Sequence, residues 1–290
     1  MSFSLKSSNT PNSLSTLNTL ITLNDVTQIV HGLWPLSGAS AWDAPGLVTG
    51  RGGDPITSIH LAVDAVSDTV DETIELGADL MLVHHPLLLR GVVTVAEDTY
   101  KGALLARLIR ARCALLAAHT NADVVVDGVS DVFATRLGLN DAQPIEVGAA
   151  PGTGIGRVGR LAEPTTLGLL ARSLAGLLPA TASGVRVSGD YNEVISTVAL
   201  CGGAGDSLLG HPAVRSADVY ITSDLRHHPA SEAREQARVT GGPALIDVSH
   251  WASEWLWLDT AAAQLREALP GVSVTVSELR SDPWDFVVMQ

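Results

Sequence analysis

From Ser58 to Ala118 the chain alternates strand and helix patterns, and that alternation narrows the fold more than any other feature. Ile59 to Ala65 is a short apolar run that reads as a strand. Ser67-Asp68 opens a helix, with Asp71-Glu72 in its first turn and Val70, Ile74 and Leu76 behind them, and Gly77 closes it. Leu80 to Val83 is the next strand, Lys101 to Arg112 a helix, and Ala114 to Ala118 a third strand. A run of this kind predicts an α/β fold with a mainly parallel sheet. In open α/β sheets ligands bind beyond the carboxyl ends of the strands. The residues that follow each strand are therefore the ones to read for function.

The second half continues the alternation. Strands are expected at Arg157 to Leu161, Val185 to Ser188, Val194 to Leu200, Asp218 to Thr222, Ala244 to Val248 and Val272 to Val276. Helices are expected at Leu167 to Leu178, at Ala230 to Arg238 and from His250 to Leu269, where Pro270 stops the last. Between Asp141 and Gly156 lie two Pro and four Gly, which reads as a linker or domain crossing. Residues 1–22 are rich in Ser, Thr and Asn with Lys6 as their only charge. They read as a flexible tail, with a short strand or helix around Leu17 to Leu23 as the alternative. They lack the basic start and continuous apolar stretch of a secretory signal.

Composition removes several function classes. The chain has 290 residues, 18 basic and 31 acidic, a formal charge of −13, and no Lys/Arg cluster. A nucleic-acid partner is not expected, because such surfaces need a basic patch. No apolar run approaches the ~18 residues of a membrane span, so no membrane partner is expected. Cys113 and Cys201 are the only cysteines, and both sit in apolar stretches. They form no disulfide framework or CxxC metal site, which fits a reducing cytoplasm. GxSxG and HExxH are absent. Gly154 to Gly159 spells GxGxxG but precedes a strand, so it lacks the context of a dinucleotide fingerprint.

What remains is concentrated at three strand ends. Leu80–Val83 runs into His84-His85, Ala114–Ala118 into His119-Thr120-Asn121-Ala122-Asp123, and Ala244–Val248 into Ser249-His250, with Glu254 four residues on. If the three strands are parallel neighbours, their ends converge on one crevice. His250 and Glu254, at i and i+4, share one helix face. Such a nitrogen and carboxylate set without thiolate suits Zn, Mn, Fe, Ni or Co. Two further segments are ambiguous. Arg226 with His227 and His228 follows another strand and reads as either a phosphate- or carboxylate-binding group or a polar loop. Cys201 to Gly205 reads as an anion-cradling turn or a tight strand-to-helix connection.

These motifs together resemble the GTP cyclohydrolase 1 type 2 homologues, also called the NGG-interacting-factor-three-like proteins. Asp79 to Leu87, around His84-His85-Pro86, resembles that family's hallmark. Trp42-Asp43-Ala44-Pro45-Gly46-Leu47 resembles its WDNxGL segment, with Ala44-Pro45 in place of Asn-Val. His119 to Asp123 resembles HTNxD, Thr222 to His228 resembles TG[DE]xxxH with Ser223 for Gly, and Asp247 to Glu254 resembles DxGHxxSE with Ser249 for Gly.

The resemblance implies two α/β lobes with a dinuclear metal site in the cleft between them. Mapped here, residues 23–140 together with 244–290 form the first lobe and 141–243 the second. His84, His85, Asp123, His250 and Glu254 are the implied ligands of two divalent transition-metal ions, with His119 standing close behind them. The implied activity is a metal-dependent hydrolase acting on a nucleotide or phosphorylated small molecule. Read from the residues themselves, His119 and Glu254 are expected to be catalytic, with His227 or His228 as the alternative acid/base, and Arg226, His227 and His228 are expected to bind substrate. The alternative is a non-enzymatic metal-binding scaffold, metal chaperone or regulator acting through partners. Family members commonly form toroidal homohexamers, and some carry an inserted middle domain for which Asn140 to Ala217 is too short here.

Overall fold

The computed structural model describes residues 20–289. The expected tail thus lies outside the described residues up to position 19. Thr22, at its end, is well placed: it caps the helix Leu23–Leu33 by a reciprocal pair of bonds with Asp25.

The expected α/β class is what folds. A five-stranded sheet runs in the order Gly46–Thr49, Ala114–Ala117, Leu80–Val83, Ser58–Ala62, Ser273–Val276, with only the first strand antiparallel to its neighbour. Every residue of Leu80–Val83 and Ala114–Ala117 is buried. That explains their unbroken apolar runs: a parallel strand covered on both faces has no polar side to show.

A six-stranded sheet runs Leu139–Gln143, Arg157–Thr166, Val194–Ala204, Val219–Ser223, Ala244–Val248, Arg186–Ser188. Its three middle strands are parallel and the outer pairings antiparallel.

Two expectations about organisation are corrected. Ala244–Val248 was expected in the first lobe but hydrogen-bonds in parallel to Val219–Ser223 of the six-stranded sheet. Only the final strand, Ser273–Val276, returns to the first sheet, beside Ser58–Ala62. The stretch read as a linker supplies structure instead. Leu139–Gln143 is an edge strand, and Glu146–Val147 pairs with Gly154–Ile155. Gly and Pro there mark tight turns between short pairings. Gly154 and Gly156 also let the backbone fold round a buried guanidinium, since Arg157 Nη1 donates to both their carbonyls at 2.8 Å.

The sheets share one core. A single apolar cluster joins Ile59, Leu82 and Leu116 of the first sheet to Val198, Ile221 and Ile246 of the second. Its spine is the helix His250–Ala268, which packs against strands of both sheets and against the helix Val129–Leu137. Buried residues cover most of that helix, from Trp251 and Glu254 to Trp257, Leu258 and Leu265. Asp259, Ala263, Arg266 and Glu267 form its one exposed face, so the rest of the helix is covered. Trp257 meets Trp34 edge-on at 5.0 Å between centroids.

Candidate metal centre

Register explains why distant residues meet. Ala62, Val83 and Ala117 are paired across three parallel strands, so those strands end at one level. Asp64, His84-His85 and His119 follow immediately. In the other sheet Val248 is level with Ser223, and Ser249-His250 and Asp224 follow these two. The three strand ends are therefore not neighbours in one sheet, as expected. Two belong to the first sheet and one to the second, and the carboxyl ends of both face one place. Ser249 starts the central helix by accepting a bond from Ala252 N, which puts His250 in its first turn and Glu254 one turn on.

Four imidazoles converge, and each is held the same way. The Nδ1–H of His84 donates to the Ala118 carbonyl at 2.9 Å. His85 Nδ1 donates to Asp64 at 2.7 Å, His119 Nδ1 to Asp43 at 2.8 Å, and His250 Nδ1 to Asp224 at 2.8 Å. A carbonyl or carboxylate can only accept, so the proton must sit on Nδ1 and the Nε2 of a neutral ring is a bare lone pair. All four rings thereby present Nε2 inward. This is the carboxylate–histidine arrangement that orients metal ligands and raises their basicity.

Those lone pairs face acceptors. His85 Nε2 lies 2.9 Å from one Glu254 oxygen and His250 Nε2 2.9 Å from the other, with 3.3 Å between the two nitrogens. His84 Nε2 is 3.5 Å from Glu254 and 3.6 Å from Asp123. His84 Nε2 and Asp123 Oδ1 are fully buried without a hydrogen-bond partner. Buried polar atoms are rarely left so. A donor set of nitrogens and carboxylates pointed at one another is what a cation requires, and these residues fit one. One oxygen or nitrogen each from His84, His85 and His119, and again from His85, His250 and Glu254, falls within 4.8 Å of the others.

The charges agree. Burial opposes the charged forms of His85 and His250, but Glu254 outweighs it, helped by Asp64 and Asp224 respectively. His85 is held well above the usual imidazole value and His250 rises to about 10. Burial would also raise Glu254, yet the three imidazoles round it, led by His250, keep it well below the usual carboxylate range. Burial pushes Asp123 up to about 6 against the pull of His84. Burial and the nearby His84 push His119 down to about 4, although Asp43 opposes them. The site thus gathers positive charge round one ionised carboxylate.

The Cys201–Gly205 segment is neither a cradle nor a simple turn. The strand continues through it to Ala204 with an irregularity between Leu200 and Ala204. Gly202 N donates to Ser130 Oγ at 3.1 Å and Gly203 N to Ser253 Oγ at 2.9 Å, so neither N–H is free for an anion. Gly203 has φ +69°, and a Cβ there would stand 2.4 Å from Glu254 Oε1. Its role is to let backbone approach the carboxylate.

The expected substrate residues separate. Arg226 lines the cavity but is spent on Asp206, with Nη2 at 2.5 Å. His227 and His228 open an exposed helix, His227–Thr240, and are not among the residues lining the cavity. Asp43, Asp64 and Asp224 were missed as orienting groups. Asp43 and Asp224 lay inside recognised motifs; Asp64 fell inside the expected strand Ile59 to Ala65, and only the observed end of that strand at Ala62 puts it beyond the sheet.

The site opens into a cavity of about 1270 Å³ between the strand ends and the chain's C-terminal segment. Among the described residues no helix is long and apolar enough to cross a membrane. The family Duf34/NIF3 (NGG1p interacting factor 3) matches residues 21–283. A Streptomyces coelicolor protein named GTP cyclohydrolase 1 type 2 homolog is 44% identical over 90% of this chain and 93% of its own. One of the same name from Mycobacterium tuberculosis is 34% identical over 92% and 97%. That alignment spans 374 positions, more than this chain has, so the mycobacterial relative carries an insert absent here. In structure, a Bacillus cereus protein related to NIF3 superposes with a TM-score of 0.82 at 22% identity, covering 92% of this chain and 99% of that one. A Staphylococcus aureus hypothetical protein does so with 0.82 at 24%, covering 92% and 100%. With its motifs, its cluster and its fold in agreement, the chain belongs to the Duf34/NIF3 family.

Proposed function

We propose that the cluster holds two divalent transition-metal ions, of Zn, Mn, Fe, Ni or Co, and that the protein is a metal-dependent hydrolase. Its substrate would be a nucleotide or another phosphorylated small molecule, attacked by ring opening or by phosphoester cleavage. The observation that carries this is the set of three Nε2 atoms, of His84, His85 and His250, each aimed by a bonded Nδ1, around the two-sided carboxylate of Glu254, with His119 grouped beside His84 and His85.

His84, His85, Asp123, His250 and Glu254 would hold the ions; Glu254 turns one oxygen toward His85 and the other toward His250. Bound ions supply Lewis acidity, polarising a substrate oxygen and making water acidic enough to attack near neutral pH. His119 is neutral at that pH and takes a proton at Nε2, with Asp43 steadying the ring as it becomes charged. An anionic substrate suits a cationic centre inside a chain of charge −13. Arg226 could add to its binding only by exchanging Asp206 for it.

Metal analysis of the purified protein beside His84→Ala and Glu254→Ala tests the assignment. About two ions per chain are expected in the wild type and a clear loss in each variant. Equal, negligible metal in all three would overturn it. A panel of nucleotides and phosphoesters on metal-loaded protein then tests turnover. A panel without turnover favours a scaffold, chaperone or regulator.

A further inference from the structure

Beyond Ser273–Val276 the chain forms no helix or strand through Met289. Side-chain bonds fix its course. Ser281 Oγ donates to Asp64 Oδ2 at 2.5 Å, while the other Asp64 oxygen holds His85. Asp282 Oδ2 accepts from Ser249 Oγ at 2.6 Å, and Ser249 caps the helix of His250 and Glu254. Trp284 N donates back to Asp282 Oδ1 at 3.1 Å. Two consecutive residues thus tie this strap to both halves of the cluster. Past the ties, Trp284 and Phe286 line the same cavity yet are 65% and 81% exposed. Rings that open to solvent contribute little to folding, and exposed apolar groups at a cavity mark a binding surface.

We propose that the strap is a ring-stacking subsite: Trp284 and Phe286 take the planar base of a ligand whose anionic group sits at the histidine–carboxylate cluster. The anionic half of this statement rests on the metal-centre reading above, and the stacking half does not. No Lys lines the cavity, and its arginines are Arg226 and Arg186, each paired with an aspartate. Recognition of a base there must come from flat apolar contact, which is tolerant of base identity. The bonds at Ser281 and Asp282 hold the backbone that carries Trp284 in place, which lowers the ordering cost of binding.

The test is calorimetric titration of the zinc-loaded full chain with adenosine 5′-monophosphate, ribose 5-phosphate and inorganic phosphate. The nucleotide should bind roughly tenfold more tightly than ribose 5-phosphate. A Trp284→Ala/Phe286→Ala variant should close that gap while its zinc content and its affinity for ribose 5-phosphate stay unchanged. Trp284→Phe, which keeps a ring, should largely restore it. Absence of the gap in the wild type, or its persistence in the double variant, overturns the proposal. So does a variant that changes only the oligomeric state. Failure of inorganic phosphate and ribose 5-phosphate to bind, with nucleotide binding still dependent on Trp284, would instead overturn the anion-binding centre and leave the strap.

Discussion

His85 Nε2 and His250 Nε2 stand 3.3 Å apart, one ring carried by each sheet. Each nitrogen also lies 2.9 Å from an oxygen of Glu254. Because Asp64 and Asp224 fix both protons on Nδ1, two neutral rings would set lone pair against lone pair. Only positive charge between them, as protons or a metal cation, makes the contact favourable. Binding of a metal must displace those protons, so the centre couples metal affinity to the groups that hold the rings.

Asp64→Asn and Asp224→Asn should each lower metal affinity by 10- to 100-fold, because the ring loses the carboxylate that orients it and raises its basicity. Competition against a chromophoric chelator measures this. Asp259→Asn, at a surface carboxylate 3.8 Å from Arg136, serves as the control and should change nothing. Equal affinities in all four proteins would remove the orienting role.

Asp43→Asn should alter His119 specifically. The Asn amide can donate to Nδ1, which moves the ring proton to Nε2 and removes the base. Nitrogen NMR of the imidazole reads that tautomer directly, and turnover of any substrate found should fall about a hundredfold or more. Asp43 also accepts from Thr120 N at 3.0 Å, so a stability loss of about 1 to 3 kcal/mol is expected alongside. An unchanged tautomer would show that Asp43 does not set it.

Gly203→Ala should damage the centre more than the fold. The new methyl would lie 2.4 Å from Glu254 Oε1 and 3.3 Å from His250 Nε2, at a φ of +69° that disfavours any side chain. Metal content should drop, and stability should fall by about 1 to 3 kcal/mol. Gly210→Ala, where a Cβ meets nothing within 4 Å, should leave metal content intact. Full metal loading in Gly203→Ala would mean that Glu254 has room to shift.

Asp79 should make stability acid-sensitive. It accepts bonds from the backbone and hydroxyl groups of Thr57 and Ser58, which outweigh burial and hold its carboxyl below its ordinary 3.8. A depressed folded value means that the stabilisation is present above about pH 4 and is lost as pH falls through the folded value. Asp79→Ala should therefore cost about 1 to 3 kcal/mol at pH 7, with the difference from wild type shrinking below pH 4. Denaturant titrations at pH 7 and pH 3 compare the two, and a pH-independent difference would rule out the ionised form as the source.

Much of the site was legible because ligand chemistry leaves local marks. His84-His85 after an apolar run, His119 through Asp123, and the i, i+4 pair His250 and Glu254 are each contained in a few residues. The orienting carboxylates were harder to read. Nothing near Asp64 in the chain names His85 as its partner, 21 residues away. His227 and His228 are the opposite case: a motif position marked them, but they are exposed at the start of a helix and are not among the residues lining the cavity.

By itself the sequence determined the α/β class, the parallel core of the first sheet and the identity of the clustered residues. Those follow from short-range periodicity and from side-chain chemistry. Only the tertiary structure decided which sheet each strand joined, and so that Ala244–Val248 pairs with Val219–Ser223 instead of extending the first sheet. Buried parallel strands look alike, all apolar on both faces, and carry no local label of their neighbours. Their partners are chosen by the packing of a single core round the central helix, and that choice brings His250 to His85.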